Sequence, residues 1–551
     1  MPSLLRRIER AAERATTVTF VLGGEEDVVP WRQLHQEAKA YAAALQARGV
    51  RPGDHVALLS PTTRELVTAI QATWLAGAAI VVLPLPMRLS SIEEFVAQTR
   101  RRIRNADAVL CVVDPELAAF VTPEPGDPLM VGVDDLAGGD AAAWVRPPDD
   151  PERLVILQFT SGSTADPKGV MLPDRVVQAN LDAIGAAARL DPDDDVLVSW
   201  LPLYHDMGLV GLLTLPMSTG TDLVLGAPQD FTARPARWME WMSTYGGTAT
   251  AGPNFSYVLA TRALNRAEGL DLSRVRLALN GAEPIDADQV EAFVAAGARH
   301  GLRPEAVFPA FGMAEVAIAG TFPEPLSGLV TDCVDRRVLE TERYAAPAEP
   351  GSGHARRLAL LGRPVPGLEI RIVDPESGAP LQDREVGELE IRGTSVTTGY
   401  YRRPDANADL FRDGWLRTGD LAYTLDGQMV MCGRIKDVII VGGRNVFPED
   451  VERAVGDIEG VRAGNVIAFG VAGDRGRETL VVVAETKGED LALVRKLVHE
   501  RVRAVVGVPA KDIVLVTPGT LPKTSSGKLQ RSLCRRRYQD GQLTLVDANQ
   551  P

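Results

Sequence analysis

Residues 159–169 read Phe-Thr-Ser-Gly-Ser-Thr-Ala-Asp-Pro-Lys-Gly. An apolar run, LVILQF, passes into small hydroxyl residues and glycine, and the stretch closes on Lys168. Backbone N–H groups and hydroxyls on such a loop can surround phosphate oxygens, and a lysine adds positive charge. The GxxxxGK[ST] order of a Walker loop is absent. Ser, Thr and Gly are also common turn residues, so taken alone the loop leaves an ordinary surface turn open.

Further motifs follow in order along the chain. They are Ser199-Trp-Leu-Pro-Leu-Tyr-His-Asp-Met-Gly208, Asn280-Gly-Ala-Glu-Pro284, Ala310-Phe-Gly-Met-Ala-Glu315, Gly362-Arg-Pro-Val-Pro-Gly367, Gly414-Trp-Leu-Arg-Thr-Gly-Asp420, Gly433-Arg-Ile-Lys-Asp437 and Ser525-Ser-Gly-Lys528. Together with TSGSTADPKG they resemble the adenylate-forming superfamily of acyl-CoA ligases, fatty acyl-AMP ligases, peptide-synthetase adenylation domains and luciferases. The resemblance covers nearly the whole chain.

It implies a role for each matching residue. Thr160, Ser161, Gly162, Ser163, Thr164 and Lys168 would hold the phosphates of ATP. Gly281, Ala282 and Glu283 would line the adenine, with Phe311 against its face and Gly312, Met313 and Ala314 continuing that wall. Glu315 would hold Mg2+ between phosphate oxygens. Asp420 would bind the ribose hydroxyls, and Arg434 would sit beside the ribose or the α-phosphate. Lys528 would bridge the substrate carboxylate and the α-phosphate, and Lys436 occupies the hinge position. His205 would gate the acyl tunnel, contact the carboxylate, or serve only as a satisfied structural histidine.

The residue types suit those roles. A carboxylate attacking the α-phosphate brings negative groups together, so catalysis is mainly positioning plus cations aimed at developing charge. A hard magnesium ion needs one carboxylate plus phosphates. A ribose diol is well held by a carboxylate acceptor. A lysine is a compact charge on a flexible stem, suited to a mobile loop. Each residue also has a plain structural alternative: Asp420 as a turn aspartate, Glu315 as a helix cap or ion-pair partner, Lys528 as a solvated lysine in a glycine- and serine-rich tail.

Within the superfamily, SWLPLYHDMGL, AGPNFSYVLA, GGRNVFPEDVE and the C-terminal SSGKLQRSLCRRRYQDGQL resemble the fatty acyl-AMP ligases, in particular the carrier-loading ligases of mycobactin-type siderophore biosynthesis. The implied reaction is ATP-dependent activation of a medium- or long-chain fatty acid to acyl-AMP. Transfer to the phosphopantetheine thiol of an acyl carrier protein would follow, in siderophore, polyketide or lipopeptide biosynthesis. One departure counts against a simple assignment and keeps CoA as the alternative acceptor: the insertion typical of fatty acyl-AMP ligases is missing, and Leu410-Phe-Arg-Asp-Gly-Trp415 runs straight into LRTGD, although the siderophore-type ligases are short here too. A non-catalytic nucleotide-binding homologue is the remaining alternative, against which Lys168, Glu315, Asp420, Arg434 and Lys528 stand together. Trp200–Leu225 and Pro253–Leu259 are rich in Leu, Met, Gly and aromatic residues, which suits an apolar substrate. Asp206 is their one candidate for a substrate ammonium, but it belongs to the YHDMG motif.

These residues need a scaffold. Short apolar β-branched runs (HVALL, AIVVLPL, DAVLCVV, LVILQFT) alternate with alanine-rich helical stretches, the pattern of parallel sheets covered by helices. The expected fold class is α/β, with a large N-terminal domain, residues 1–433, and a small mobile α+β domain, residues 434–551. In the small domain DVIIVGGRNVFPEDVERAV reads as strand, glycine turn, helix. The chain has 551 residues, too many for one hydrophobic core. A net charge of −14 argues against nucleic acid as a partner. Four scattered cysteines and six histidines give neither a disulfide framework nor metal-ligand spacing. The first twenty residues read as an amphipathic helix without a signal-peptide core, and no run reaches membrane-span length, so a cytoplasmic protein is expected. Two basic clusters stand out: Arg100–Arg104, read as a solvated helix face, and Arg535–Arg537, which would dock an acidic carrier protein.

Overall fold

The computed structural model describes residues 2–85, 92–160, 167–473, 478–488, 490–524 and 527–546. Two large sheets form the body. The first has six strands in the order Leu129–Gly132, Leu110–Val113, His55–Leu59, Ala79–Val82, Leu154–Phe159 and Gly169–Pro173. Its neighbours run parallel except the last pair, which is an antiparallel hairpin. The second has seven strands in the order Val307–Pro309, Leu277–Asn280, Ala249–Gly252, Val196–Ser199, Asp222–Gly226, Thr17–Leu22 and Glu25–Pro30, parallel except the final pair. Strands such as His55–Leu59 and Ala79–Val82 are buried along their whole length. Helices therefore cover both faces, as continuous apolar runs require. The motif-bearing loops leave the carboxyl ends of Leu154–Phe159, Val196–Ser199, Leu277–Asn280 and Val307–Pro309, which is where open α/β sheets bind ligands.

A β-rich layer follows. Leu368–Val373, Gly387–Gly393 and Trp415–Leu425 pair antiparallel, and Gln428–Arg434 adds to the far side of Trp415–Leu425. Asp426 and Gly427 join those last two strands with φ of +51° and +74°. Positive φ at both central residues is the geometry of a two-residue hairpin turn, and Asp-Gly tolerates it.

Beyond residue 437 the chain forms a hairpin, Ile439–Val441 and Arg444–Val446, and a three-stranded sheet of Val461–Ala472, Glu478–Thr486 and Asp512–Val516. Helices Pro448–Gly456, Leu491–Val506 and Arg531–Gln539 pack around it. One face buries Val451, Val466, Val482, Val498 and Val502, and the other Ile467, Val481, Val514 and Cys534. Both clusters are separate from the main core. Buried ionic contacts join this region to the body. Arg356 Nε lies 2.9 Å from Asp450 Oδ1, with the guanidinium over the Phe447 ring, and Arg444 pairs with Glu340.

Local readings need adjustment. The N-terminal helix stops at Ala11, and Thr17–Leu22 is a strand, because its β-branched run pairs with Asp222–Gly226. The glycine turn at Gly442-Gly443 leads into a second strand, Arg444–Val446, before the helix. Among the described residues no helix is long and apolar enough to cross a membrane.

Candidate active site

The loop after Phe159 is closed by its own hairpin. Phe159 stands opposite Gly169, and the Thr160 N–H donates to the Lys168 carbonyl at 3.1 Å. Ser161, Gly162, Ser163 and Thr164 lie outside the described residues. The Lys168 ammonium rests over the Tyr400 ring, 4.7 Å from its centroid. The Tyr400 hydroxyl in turn donates to Glu315 Oε1 at 2.7 Å. Residues 397–401 stitch these parts together. The Thr397 N–H donates to the Glu315 carbonyl at 2.8 Å, and the Thr397 hydroxyl to the Met171 carbonyl at 2.6 Å. The Tyr401 N–H donates to the Gly169 carbonyl at 2.8 Å. Tyr400 was not among the sequence candidates. GYYRRP carries no chemistry until the fold lays it between Lys168 and Glu315.

Glu315 sits in a short turn, Ala314–Val316, after strand Phe311–Gly312. A Cβ on Gly312 would lie 2.0 Å from the Ile318 carbonyl oxygen, so the close approach requires glycine there. Met313 donates its N–H to that same carbonyl at 2.9 Å. Phe311 is buried against Gly320. Burial pushes the Glu315 carboxyl above the usual range, opposed by the Tyr400 hydroxyl. Gly281, Ala282 and Glu283 form the turn after strand Leu277–Asn280, with Ala282 at φ +69°. Glu283 accepts the Phe255 N–H at 2.5 Å, and burial raises its carboxyl against the pull of that N–H and of Lys528.

Asp420 and Arg434 are directly opposite across the Trp415–Leu425 and Gln428–Arg434 strands, and Arg434 Nε lies 2.9 Å from Asp420 Oδ1. Burial raises Asp420, with Arg434 pulling it down, while Asp420 raises Arg434. Lys436 follows in the turn Ile435–Asp437, its ammonium lowered by burial and by Arg434.

Lys528 comes from the other side of the cleft. Its N–H donates to the Thr524 hydroxyl at 3.0 Å, and Thr524 returns its N–H to the Lys528 carbonyl at 2.8 Å. Ser525 and Ser526 lie outside the described residues. Gly527 lies beside the Phe255 ring. Burial lowers the Lys528 ammonium, while Asp206 and Glu283 pull it up. Arg531 anchors the segment, reaching Asp437 at 3.0 Å, Glu449 at 2.8 Å and Glu452 at 2.7 Å. His205 Nδ1 is 2.6 Å from Asp206 Oδ1. Burial pushes Asp206 up, but His205 and Lys528 outweigh it and hold the carboxyl below its usual value. Asp206 thus faces a lysine of the protein itself, a partnership that its place in YHDMG did not reveal.

Lys168, Tyr400, Glu315, Glu283, Asp420, Arg434, Lys436, Lys528, His205 and Asp206 line one cavity of about 2000 Å3 between the body and the small region. Lys168 and Glu315 lie on one side, Asp420 and Arg434 at the boundary, and Lys528 opposite. The cavity thus brings cations and carboxylates from separate parts of the chain together with apolar residues such as Leu212, Leu215, Val258 and Leu259.

Comparison with known proteins agrees. Residues 8–401 match the AMP-binding enzyme model, and the chain belongs to that family, whose members use ATP. The chain is 39% identical over 540 residues to a protein of Mycobacterium tuberculosis named as a ligase, covering 96% of this chain and 98% of that one. It is 32% identical to a long-chain-fatty-acid–AMP ligase of Mycobacterium marinum, covering 99% and 98%. A solved structure from work on fatty acyl-adenylate ligases of E. coli and L. pneumophila superposes with a TM-score of 0.92 at 32% identity, covering 98% of each chain.

Proposed function

We propose that the protein activates a medium- or long-chain fatty acid with ATP and passes the acyl group to the phosphopantetheine thiol of an acyl carrier protein. In the first step a carboxylate oxygen forms a bond to the α-phosphorus. The bond from that phosphorus to the bridging oxygen breaks, and pyrophosphate leaves with the electron pair. In the second step the thiol gives its proton to solvent, sulfur bonds to the acyl carbon, and the bond from that carbon to the phosphate oxygen breaks, AMP leaving with the electron pair. The convergence of Lys168, Glu315 and Lys528 on one cavity from three separate parts of the chain carries this reading.

In this reading Lys168 and the loop from Thr160 to Thr164 hold the phosphates. Gly281, Ala282 and Glu283 with Phe311 to Ala314 form the adenine wall. Asp420 takes the ribose hydroxyls, and Arg434 keeps it oriented. Lys528 spans carboxylate and α-phosphate as their charges approach. His205, held by Asp206, stands at the mouth of the apolar compartment.

Glu315 suits magnesium. It is a hard oxygen donor that lines the same cavity as Lys168. An ion with one protein carboxylate completes its shell with phosphate oxygens and water. Bound there, Mg2+ would neutralise charge on those oxygens.

The boundary between a body of 1–433 and a small domain of 434–551, turning about Lys436, belongs to the same reading. The separate cores of the small region support it. CoA is the second acceptor to weigh, because Asp413 and Gly414, with φ of +50° and +79°, make a tight turn between Phe411–Arg412 and Trp415. No inserted segment stands there. The test is fatty-acid-dependent exchange of pyrophosphate into ATP, followed by acyl transfer to holo carrier protein or to CoA. Absence of exchange with every fatty acid refutes adenylation. Free CoA outperforming every holo carrier refutes the carrier assignment.

A further inference from the structure

The turn after strand Leu277–Asn280 carries Gly281, Ala282 and Glu283 and ends at Asp286, the cap of helix Ala287–Ala298. At its centre Ala282 sits at φ +69°. A non-glycine residue enters the left-handed region at a disadvantage of roughly tenfold, and keeps it only where its surroundings impose it. The turn therefore needs a restraint from outside.

Asn254, the first residue of helix Asn254–Leu264, reaches both ends of the turn. Its Oδ1 accepts the Asn280 Nδ2 at 3.0 Å on one side and the Asp286 N–H at 3.3 Å on the other. Its own Nδ2 donates to Gln289 Oε1 at 2.6 Å, which fixes the plane of the amide. The Phe255 N–H holds the middle of the turn by donating to Glu283 Oε1 at 2.5 Å. The far end is anchored as well, because the Asp286 carboxylate accepts the Asp288 and Gln289 N–H groups at 3.0 and 3.1 Å.

Asn254 and Asn280 are both buried. Asn280 Oδ1 finds no protein donor among the described residues. A buried amide satisfied on one half only is costly, so the bond that its other half makes to Asn254 is what explains an asparagine there.

We propose that Asn254 is a positioning residue whose amide clamps the two ends of the turn 280–286 and holds Ala282 in the left-handed conformation that shapes the adenine wall. The inference rests on the nucleotide reading above, in which Asn254 has no role. Without the clamp Ala282 relaxes out of the left-handed region and the wall shifts. The loop from Thr160 to Lys168 follows a strand of the other large sheet, so adenine binding and phosphate binding should separate.

The experiment uses the full-length protein. It measures kcat and KM for ATP by pyrophosphate exchange, and the Kd of AMP and of pyrophosphate by calorimetry. Asn254→Leu should raise KM for ATP and Kd for AMP about tenfold while kcat and the pyrophosphate Kd stay within about twofold. Asn254→Asp keeps the acceptor, and Gln289 can turn its amide to donate to it, so KM should stay within about threefold of wild type. Glycine takes positive φ freely, so in an Ala282→Gly background the Asn254→Leu loss should shrink to about threefold. If Asn254→Leu lacks a wild-type Tm, Asn280→Ala replaces it in the same cycle, with a rise of about threefold expected in the Ala282 protein. A folded variant with wild-type KM for ATP, an equal loss with and without Ala282→Gly, or a pyrophosphate affinity that falls with that of AMP overturns the clamp and leaves the nucleotide reading standing. Wild-type protein that binds no AMP and shows no exchange with any fatty acid overturns both.

Discussion

Replacing Tyr400 by Phe removes one hydroxyl and leaves the ring beneath Lys168. The hydroxyl donates to Glu315 Oε1 at 2.7 Å in a partly buried site. A hydrogen bond to a charged partner contributes about 1.5–3 kcal/mol. At ~1.4 kcal/mol per tenfold, we expect kcat/KM for ATP to fall about 10- to 100-fold at neutral pH. The pH dependence supplies the sharper test. Burial already holds Glu315 above the usual carboxylate range, and the Tyr400 hydroxyl is the strongest influence pulling it down. Without that hydroxyl the carboxyl rises further. The ionised form is the one that binds a cation, so the acid limb of the profile moves to higher pH and more Mg2+ is needed for half-maximal rate. The variant therefore recovers toward wild type as pH or Mg2+ is raised. The assay is pyrophosphate exchange over a grid of pH and Mg2+, with equilibrium binding of a non-hydrolysable ATP analogue in Mg2+ and in chelator alongside. If the acid limb, the Mg2+ requirement and analogue binding all match wild type, Tyr400 is packing alone and the argument fails.

Lys528→Ala should lower acyl-AMP formation about 100- to 1000-fold while transfer from supplied acyl-AMP persists, as separate half-reaction assays will tell; equal loss in both rejects its assigned role. Lys436→Pro fixes φ in the turn Ile435–Asp437 and should spare adenylation while suppressing thiol transfer; unimpaired transfer removes the hinge from this residue. Charge reversal at Arg535 and Arg537 should weaken carrier loading more at low salt than at high and leave pyrophosphate exchange at its wild-type rate; loading that ignores both charge and salt moves the docking surface elsewhere.

The scaffold was legible because parallel strands buried on both faces must be continuous apolar runs, and HVALL and LVILQF could be little else. Asp426-Gly427 between two strand-like runs is itself a sequence pattern for a two-residue hairpin, because those residues tolerate positive φ. The ends of elements were harder. Ala79–Val82 stops short of the apolar run that contains it, before Pro84, and the N-terminal run changed from helix to strand because pairing with a distant strand outweighed local periodicity. The motifs named Lys168, Glu315, Asp420, Arg434 and Lys528, but motifs name residues one at a time. Tyr400, Asp206 and Arg356 matter through partners far away in sequence: Glu315, Lys528 and Asp450. No local pattern encodes such pairings. The basic run at Arg100–Arg104 shows the converse, since Arg100 and Arg104 pair with Asp127 and Glu124.

The charges of the cleft bear on the proposed movement of the small domain. Asp206, Glu283, Glu315 and Asp420 are carboxylates facing one cavity, three of them raised by burial. The body supplies Lys168 against them. Of the other cations with assigned roles, Arg434, Lys436 and Lys528 stand at or beyond the boundary. A nucleotide brings further negative charge, so the closed arrangement is most favourable when those cations are inside with phosphates to balance. Once pyrophosphate departs, less anionic charge remains to hold Lys528, whose ammonium is already disfavoured by burial. The closing contacts Arg356–Asp450 and Arg444–Glu340 are themselves buried ion pairs, and such pairs give little net stability because desolvation offsets attraction. In the proposed reading, a closed state held by weakly net-favourable ion pairs and by the charge of its substrate would release Lys528 when the chemistry of the first step is complete.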